Sequence, residues 1–386
     1  MASAKGEARK VAAAKAAKAE STIGFTTKEK LDKMADIAAA MNKSAGRTVL
    51  FRAGEDPSFG VPVRIASNIP SIDRVTGGGL PRGMVTEIFG GESAGKTTLA
   101  LHFMGQAQKQ GGVAAYIDAE HTFDRGWAMT NGVDVENLFV LTPSTAEEGL
   151  QAIIDICKVG AADVIILDSV VALATVQEKG RELTDENIAR LAAKLSQFFK
   201  MSISEIARSK TAVIMINQLR TAIGTYGAPE KAPGGNALKH YKALSILVKR
   251  GSVSNPSSSE YFIKAGSKYE QIGFPMDMKI QKTKIGGTYG GVTSHPTSSA
   301  SVDFWFGSGL DARSDIVNTA LRAGLPLVTK SGAGWYEYHE ESGKTRKIQG
   351  KATFMDSLTE ADMNRIHEEL LKFLSTGVVI EDEQEE

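Results

Sequence analysis

The octapeptide Gly90-Gly91-Glu92-Ser93-Ala94-Gly95-Lys96-Thr97 constrains this chain more than any other stretch. It fits G-x-x-x-x-G-K-[ST], a loop whose backbone N–H groups cradle phosphates. Its flanks fit as well. Residues 84–89 are apolar and β-branched enough for a buried strand, and residues 98–104 carry the apolar spacing of a helix. Strand, glycine loop and helix in that order aim N–H groups and the positive end of a helix dipole at an anion. Gly90 and Gly95 let the backbone turn and approach the anion. Thr98 opens the helix behind the loop, Lys96 would reach the β- and γ-phosphates, and Thr97 would offer its hydroxyl to Mg²⁺. The spacing predicts a nucleoside triphosphate site.

A chain of 386 residues has room for two or three domains around a large core. Cys157 is its only cysteine, which excludes an intrachain disulfide and a thiolate zinc centre and leaves a small buried hydrophobe. No apolar run is long enough to cross a bilayer and no secretory core opens the chain, so no membrane partner and a cytoplasmic location are expected. The 45 basic side chains balance 45 acidic ones, which argues against coating nucleic acid by bulk charge. The distribution is uneven: Lys5, Arg9, Lys10, Lys15 and Lys18 lie among alanines, and residues 381–386 are almost all acidic. Two solubilising tails explain this; so does a basic arm drawn to phosphates with an acidic tail competing against them.

Leu31, Met34, Ile37, Ala38 and Met41 recur at helical spacing and predict an amphipathic helix over 28–44, followed by a strand at 48–51. Strand-like runs then recur at 85–89, 113–117, 138–141, 163–168 and 211–216, most of them separated by helical stretches. That alternation predicts an α/β fold with a mostly parallel sheet covered on both faces. Segments 244–249 and 276–282 extend the sheet and are expected to be antiparallel. Residues 252–259 and 286–300 read as loops, and beyond residue 311 the pattern changes to a small α/β module.

Several side chains gather around the predicted loop. Asp168 ends a buried strand, a place from which an acid holds Mg²⁺ in phosphate-loop enzymes. Glu120, just past another strand, could orient or deprotonate water, or cap the strand. His121 reads as a packing or orienting residue. Asp124 and Trp127 are spaced to cradle a purine, and Trp127 equally suits the core. Gln218 ends a strand and leads into a glycine-rich loop, where an amide can sense a γ-phosphate. Arg220, Tyr226 and Lys231 in that region suit single-stranded nucleic acid, the alternative being an exposed tyrosine in a loop.

Six motifs taken in order carry a resemblance: Arg52-Ala53-Gly54-Glu55-Asp56, Gly78-Gly79-Leu80-Pro81, the phosphate loop through Thr98, Ile117-Asp118-Ala119-Glu120-His121, Asn217-Gln218-Leu219-Arg220, and Gly234-Gly235-Asn236-Ala237-Leu238-Lys239. From about residue 30 to the acidic tail, the chain resembles the bacterial and phage RecA family of DNA recombinases. The resemblance implies a RecA-like P-loop ATPase core at 58–310, a basic arm with a polymerisation helix and strand at 1–57, a small C-terminal α/β domain at 311–376, and an acidic tail at 377–386. It implies that Lys96 and Gly90 to Thr98 bind ATP, with Thr97 and Asp168 serving Mg²⁺. Glu120 would activate water, and Gln218 would couple the γ-phosphate to a DNA loop. Asp124 and Trp127 would hold adenine, while Lys282 and Lys284 would reach the nucleotide of an adjacent subunit. DNA would be held by loop 177–189 and by Lys194, Lys200, Arg220, Tyr226, Gly234, Gly235 and Asn236. The implied function is ATP-dependent homologous pairing and strand exchange. The implied partners are single- and double-stranded DNA, further copies in a helical filament, single-strand-binding protein and loaders, in a bacterial or phage-host cytoplasm. His240 stands where the family has phenylalanine, the first DNA loop is heavily charged, and 251–275 and 286–300 look inserted; these mark a divergent member. A ring helicase of the same fold and an ATP-binding regulator are the alternatives, and the arm and the 234–239 segment favour the recombinase.

Overall fold

The computed structural model describes residues 25–55, 62–176, 187–219, 235–253, 256–257, 259–289, 292–332 and 334–376, in two units spanning 1–60 and 61–386. In the first unit, helix α1 (Thr27–Ala45) starts at a capping box in which Thr26 and Glu29 satisfy each other's N–H groups, and it stops at left-handed Gly46. Its predicted apolar stripe is real but uncovered: Leu31, Met34, Ile37 and Met41 are each 47–51% exposed. Residues 48–51 are not a strand. The Asn42 side chain accepts the Val49 and Leu50 N–H groups and donates to the Leu50 carbonyl, taking the place of a neighbouring strand edge.

The second unit begins with β1 (Arg64–Ile65), α2 (Pro70–Thr76), β2 (Leu80–Pro81), β3 (Val85–Gly90), α3 (Lys96–Lys109), β4 (Ala114–Asp118), α4 (Arg125–Thr130), β5 (Leu138–Leu141), α5 (Ala146–Val159) and β6 (Val164–Asp168). It continues through α6 (Asn187–Ser209), β7 (Ala212–Gln218), α7 (Gly235–Tyr241), β8 (Leu244–Arg250), β9 (Phe262–Ala265), β10 (Lys268–Gln271), β11 (Gly273–Thr283), β12 (Thr288–Tyr289), β13 (Val292–Thr293), β14 (Ser299–Trp305) and β15 (Gly309–Leu310). The last elements are α8 (Ala312–Ala323), β16 (Val328–Ser331), β17 (Trp335–His339), β18 (Thr345–Gln349), α9 (Lys351–Ser357) and α10 (Glu360–Ser375).

Nine strands form one sheet in the order β15-β14-β11-β8-β3-β7-β6-β4-β5. The six from β8 to β5 are parallel, and β11, β14 and β15 add an antiparallel edge. The expectation for 276–282 holds, but β8 runs parallel to β3, because α7 forms a crossover and a crossover returns the chain in its original direction. Side chains alternate between faces. Val164 and Ile166 pack with Leu99, Phe103 and Met104 on one side, while Ile165 and Leu167 pack with Leu150, Ile153 and Phe199 on the other. Cys157 lies in this second layer as the expected buried hydrophobe.

The run 286–300 is more ordered than a loop. It holds the β12–β13 hairpin and the start of β14, and Ser294 Oγ donates to the Val75 carbonyl at 2.6 Å in a buried bond. Beyond it, α8, α9, α10 and the β16–β17–β18 sheet enclose a hydrophobic cluster of their own around Tyr338, Phe354, Ile366 and Leu370. No helix among the described residues is long and apolar enough to cross a membrane.

Candidate nucleotide site

In a parallel sheet the carboxyl ends of the strands form one edge, where ligands collect. Gly90, Asp118, Asp168 and Gln218 all end strands on this edge. Between β3 and α3, Gly95 takes φ 92°, a left-handed conformation that starts the helix. Gly90 is glycine for a different reason from the one expected. It continues β3, and a Cβ there would lie 2.0 Å from the Val248 carbonyl oxygen of β8. Strand crowding, not a turn, requires it.

Lys96 is buried and donates to the Gly91 carbonyl at 2.6 Å, folded back over the loop. Burial pushes its pKa down, and the carboxylates of Asp168, Glu120 and Glu92 oppose that shift. Thr97 donates its hydroxyl to Asp168 Oδ2 at 2.7 Å, and Tyr116 donates to the same oxygen at 2.8 Å. Burial raises the Asp168 pKa against these two hydroxyl bonds and the Lys96 charge. A hydroxyl and a carboxylate side by side are hard oxygen donors. They fit Mg²⁺, an ion that leaves most of its shell to phosphate and water.

The strand ends are lashed together. The Ala119 and Glu120 N–H groups both donate to the Asp168 carbonyl, at 2.8 and 3.2 Å. Asp118 spends both carboxylate oxygens on the N–H groups of Thr122 and Phe123 and so shapes the turn. Glu120 Oε1 is left to accept Ser169 Oγ and, at 3.2 Å, the Gln218 amide. Glu120, Ser169 and Gln218 thus converge beside Lys96 from three strands.

A cavity of about 530 Å³ opens next to the loop, walled by Ser93 to Thr98 on one side and by Trp127, Phe274, Phe304, Phe306 and Arg250 on the other. Trp127 donates its indole N–H to Thr98 Oγ1 at 3.1 Å, and Asp124 caps α4 by accepting the Trp127 N–H at 2.9 Å. Trp127 is therefore a pocket wall, and Asp124 is the residue that aims it. The other aromatic walls went unrecognised in the sequence, because β11 and β14 bring them in from far along the chain without any motif. Ser169 and Tyr116 were missed too, although each adjoins or underlies a recognised acid.

Other predicted residues lie elsewhere. Lys282 and Lys284 donate to the carbonyls of Lys239 and His240 at the end of α7. Thr283 pairs with Leu244 while Met278 pairs with Val248, the partner of Gly90, so the two lysines sit at the amino end of the parallel strands. Measured along β8, Lys282 lies three residue steps and Lys284 five from Val248, which places them roughly 10 and 17 Å along the sheet from the start of this chain's own phosphate loop. Lys194 is ion-paired with Glu147 at 3.2 Å, and Lys200 on the same helix is exposed. Gly235 and Asn236 open α7. Arg220, Tyr226, Gly234 and residues 177–186 of the first loop lie outside the described residues.

Known proteins are similar to this sequence over most of its length. Residues 32–311 match the RecA N-terminal domain. Protein RecA of Thermus thermophilus is 38% identical over 342 residues, covering 88% of this chain and 91% of that one. Protein RecA of Thermus aquaticus is 39% identical over 322 residues, covering 83% and 87%. Protein RecA of Symbiobacterium thermophilum is 36% identical over 361 residues, covering 91% and 96%. A crystal structure of the RadB recombinase aligns at a TM-score of 0.45 and 18% identity, covering 64% of this chain and 98% of that chain. With a phosphate loop on a parallel sheet and relatives matched nearly end to end, this chain belongs to the RecA family.

Proposed function

We infer that this chain is an ATP-dependent DNA recombinase. It assembles on single-stranded DNA, pairs it with a homologous duplex and exchanges strands, and DNA stimulates its ATP hydrolysis. The observation that carries this reading is the Glu120–Gln218 hydrogen bond of 3.2 Å at the lip of the phosphate loop. It joins a carboxylate able to take a proton from water to the amide from which the chain departs toward residues 220–234.

ATP binds with its phosphates on Gly90 to Thr98 and its base in the aromatic cavity against Trp127. Lys96 leaves the Gly91 carbonyl for the β- and γ-phosphates, to which a largely buried ammonium binds more strongly than one in water. Thr97 and Asp168 would hold Mg²⁺, which supplies charge neutralisation on the phosphates. Glu120, oriented by Ser169 and Gln218, accepts the proton of the attacking water. Gln218 turns toward the γ-phosphate when ATP is present, so nucleotide state reaches the DNA-binding loop.

Assembly follows from the placement of the remaining residues. Lys282 and Lys284 stand at the strand end opposite the phosphate loop, where they serve a neighbour's nucleotide. The uncovered stripe of α1 and the exposed Phe139 of edge strand β5 (71%) are apolar surfaces suited to burial against other copies. A contact between unlike surfaces repeats head to tail and gives a helical filament. ATP held between copies then links nucleotide binding to assembly.

The test is joint-molecule formation between homologous single-stranded DNA and supercoiled duplex. ATP- and homology-dependent product is the expected result. ATPase activity without any product, with rings under the electron microscope, would replace this reading by the helicase.

A further inference from the structure

Glu87 sits in the middle of β3, 1% exposed, on the strand that feeds the phosphate loop. A carboxylate persists in such a place only when its oxygens are taken. Here the two oxygens are taken by opposite flanks of one chain segment. Oε1 accepts the Asn217 amide at 3.0 Å. Oε2 accepts Ser245 Oγ at 2.9 Å and the Lys242 ammonium, which also donates to Ser245 at 3.0 Å. Asn217 directly precedes Gln218 and accepts its backbone N–H at 3.0 Å, and the Leu219 N–H donates to the Gly90 carbonyl at 3.1 Å. Lys242 directly follows α7. Glu87 therefore grips the chain just before residue 220 and just after α7.

We propose that Glu87 is a positioning residue that ties both flanks of residues 220–234 to the phosphate-loop strand, making nucleotide binding and DNA binding one equilibrium. This rests on the recombinase reading above. A shift of Gln218 toward a γ-phosphate moves Asn217, and Asn217 moves against Glu87 Oε1. The same carboxylate holds Lys242 through Oε2, so the second flank cannot keep its position while the first changes. Glu87→Gln preserves the shape but turns one of the two acceptors into a donor, so only one flank stays held.

Coupling between two ligands is reciprocal, and that gives the test. The Kd of a short single-stranded oligonucleotide is measured by fluorescence anisotropy with and without a non-hydrolysable ATP analogue. The Kd of a fluorescent ATP analogue is measured with and without the oligonucleotide. In the full chain the two ratios should agree at about tenfold or more. In Glu87→Gln both should fall to within about two-fold of unity, with the nucleotide Kd in the absence of DNA nearly unchanged. A residue that merely supports the fold would weaken both ligands together and leave the ratio alone. Glu87→Gln with Lys242→Met removes the cation that the single change strands in the interior, and Asn217→Ala cuts the Oε1 arm alone; both should lose the ratio too. Any of these variants melting like the parent and keeping the full ratio overturns the proposal. A parent ratio of one overturns the recombinase reading and this inference with it.

Discussion

Glu120→Gln separates the chemistry of this site from its architecture, because the structure gives the carboxylate two duties that the amide divides. The hydrogen bonds from Ser169 Oγ and Gln218 Nε2 both fall on a single oxygen, Oε1. A glutamine keeps one carbonyl oxygen and can accept both, so the convergence of β4, β6 and β7 should survive. What it loses is the ability to take a proton. Removing a positioned general base lowers turnover by about 10²–10⁴-fold, which is about 3–5 kcal/mol in the activation barrier. ATP affinity should change little, since among the described residues Glu120 hydrogen-bonds to Ser169 and Gln218 and reaches the phosphate loop only through its charge on Lys96. The assay is phosphate release at saturating ATP and single-stranded DNA, beside equilibrium nucleotide binding and electron microscopy of filaments. The variant should bind ATP, assemble, and hardly turn over. Glu120→Ala, which abandons Ser169 and Gln218 as well, should also lose part of the DNA response. Turnover in Glu120→Gln within tenfold of the parent would remove Glu120 from the role of base. Loss of nucleotide binding would show that its oxygens hold the site together and not only its chemistry.

Tyr116→Phe deletes the buried donor to Asp168 Oδ2 and should cost roughly 1.5–3 kcal/mol in urea unfolding. It should also raise the Mg²⁺ concentration needed for nucleotide binding, and a variant unchanged in both would mean the bond is incidental. Gly90→Ala forces a methyl into the Val248 carbonyl and should cost about 1–3 kcal/mol or more, with nucleotide affinity falling alongside; a parental melting curve would refute the crowding argument. Burial pushes the Asp315 carboxyl up to about 6, against hydrogen bonds from Ser71 and the charge of Arg322. A pKa raised in the folded state gives stability that is complete below about pH 4 and is lost as pH rises through 6. Relative to Asp315→Asn, the parent should therefore lose up to ~3 kcal/mol between pH 4 and 7. A difference that does not vary with pH would exclude the effect.

The parts of this molecule legible in its sequence are those whose cause is local. The phosphate loop announces itself because glycine, lysine and threonine at fixed spacing are a local requirement of phosphate binding. Strands β4, β6 and β7 were visible because a parallel strand buried on both faces reads as a near-continuous apolar run. The strand expected at 48–51 shows the limit of that reasoning. β-branched residues favour extended backbone, but a strand needs a partner edge, and here the Asn42 side chain takes the Val49 and Leu50 N–H groups instead. Residues 286–300 fail in the opposite sense. Glycine and serine suggest a loop, yet Ser294 reaches the carbonyl of Val75, 219 residues earlier, and fixes a hairpin there. Gly90 reads in the sequence as a residue that lets the backbone turn toward an anion, whereas the atom that excludes a side chain there belongs to β8. Glu87 is the most instructive case. One acid inside Val85–Gly90 was plain to see, and a buried acid implies a partner. That the partner is Lys242, 155 residues away, depends on the chain leaving β7, passing through α7 and returning beside β3. The crossover that hid this pair from the sequence also puts Asn217, before residue 220, and Lys242, after α7, within reach of one carboxylate.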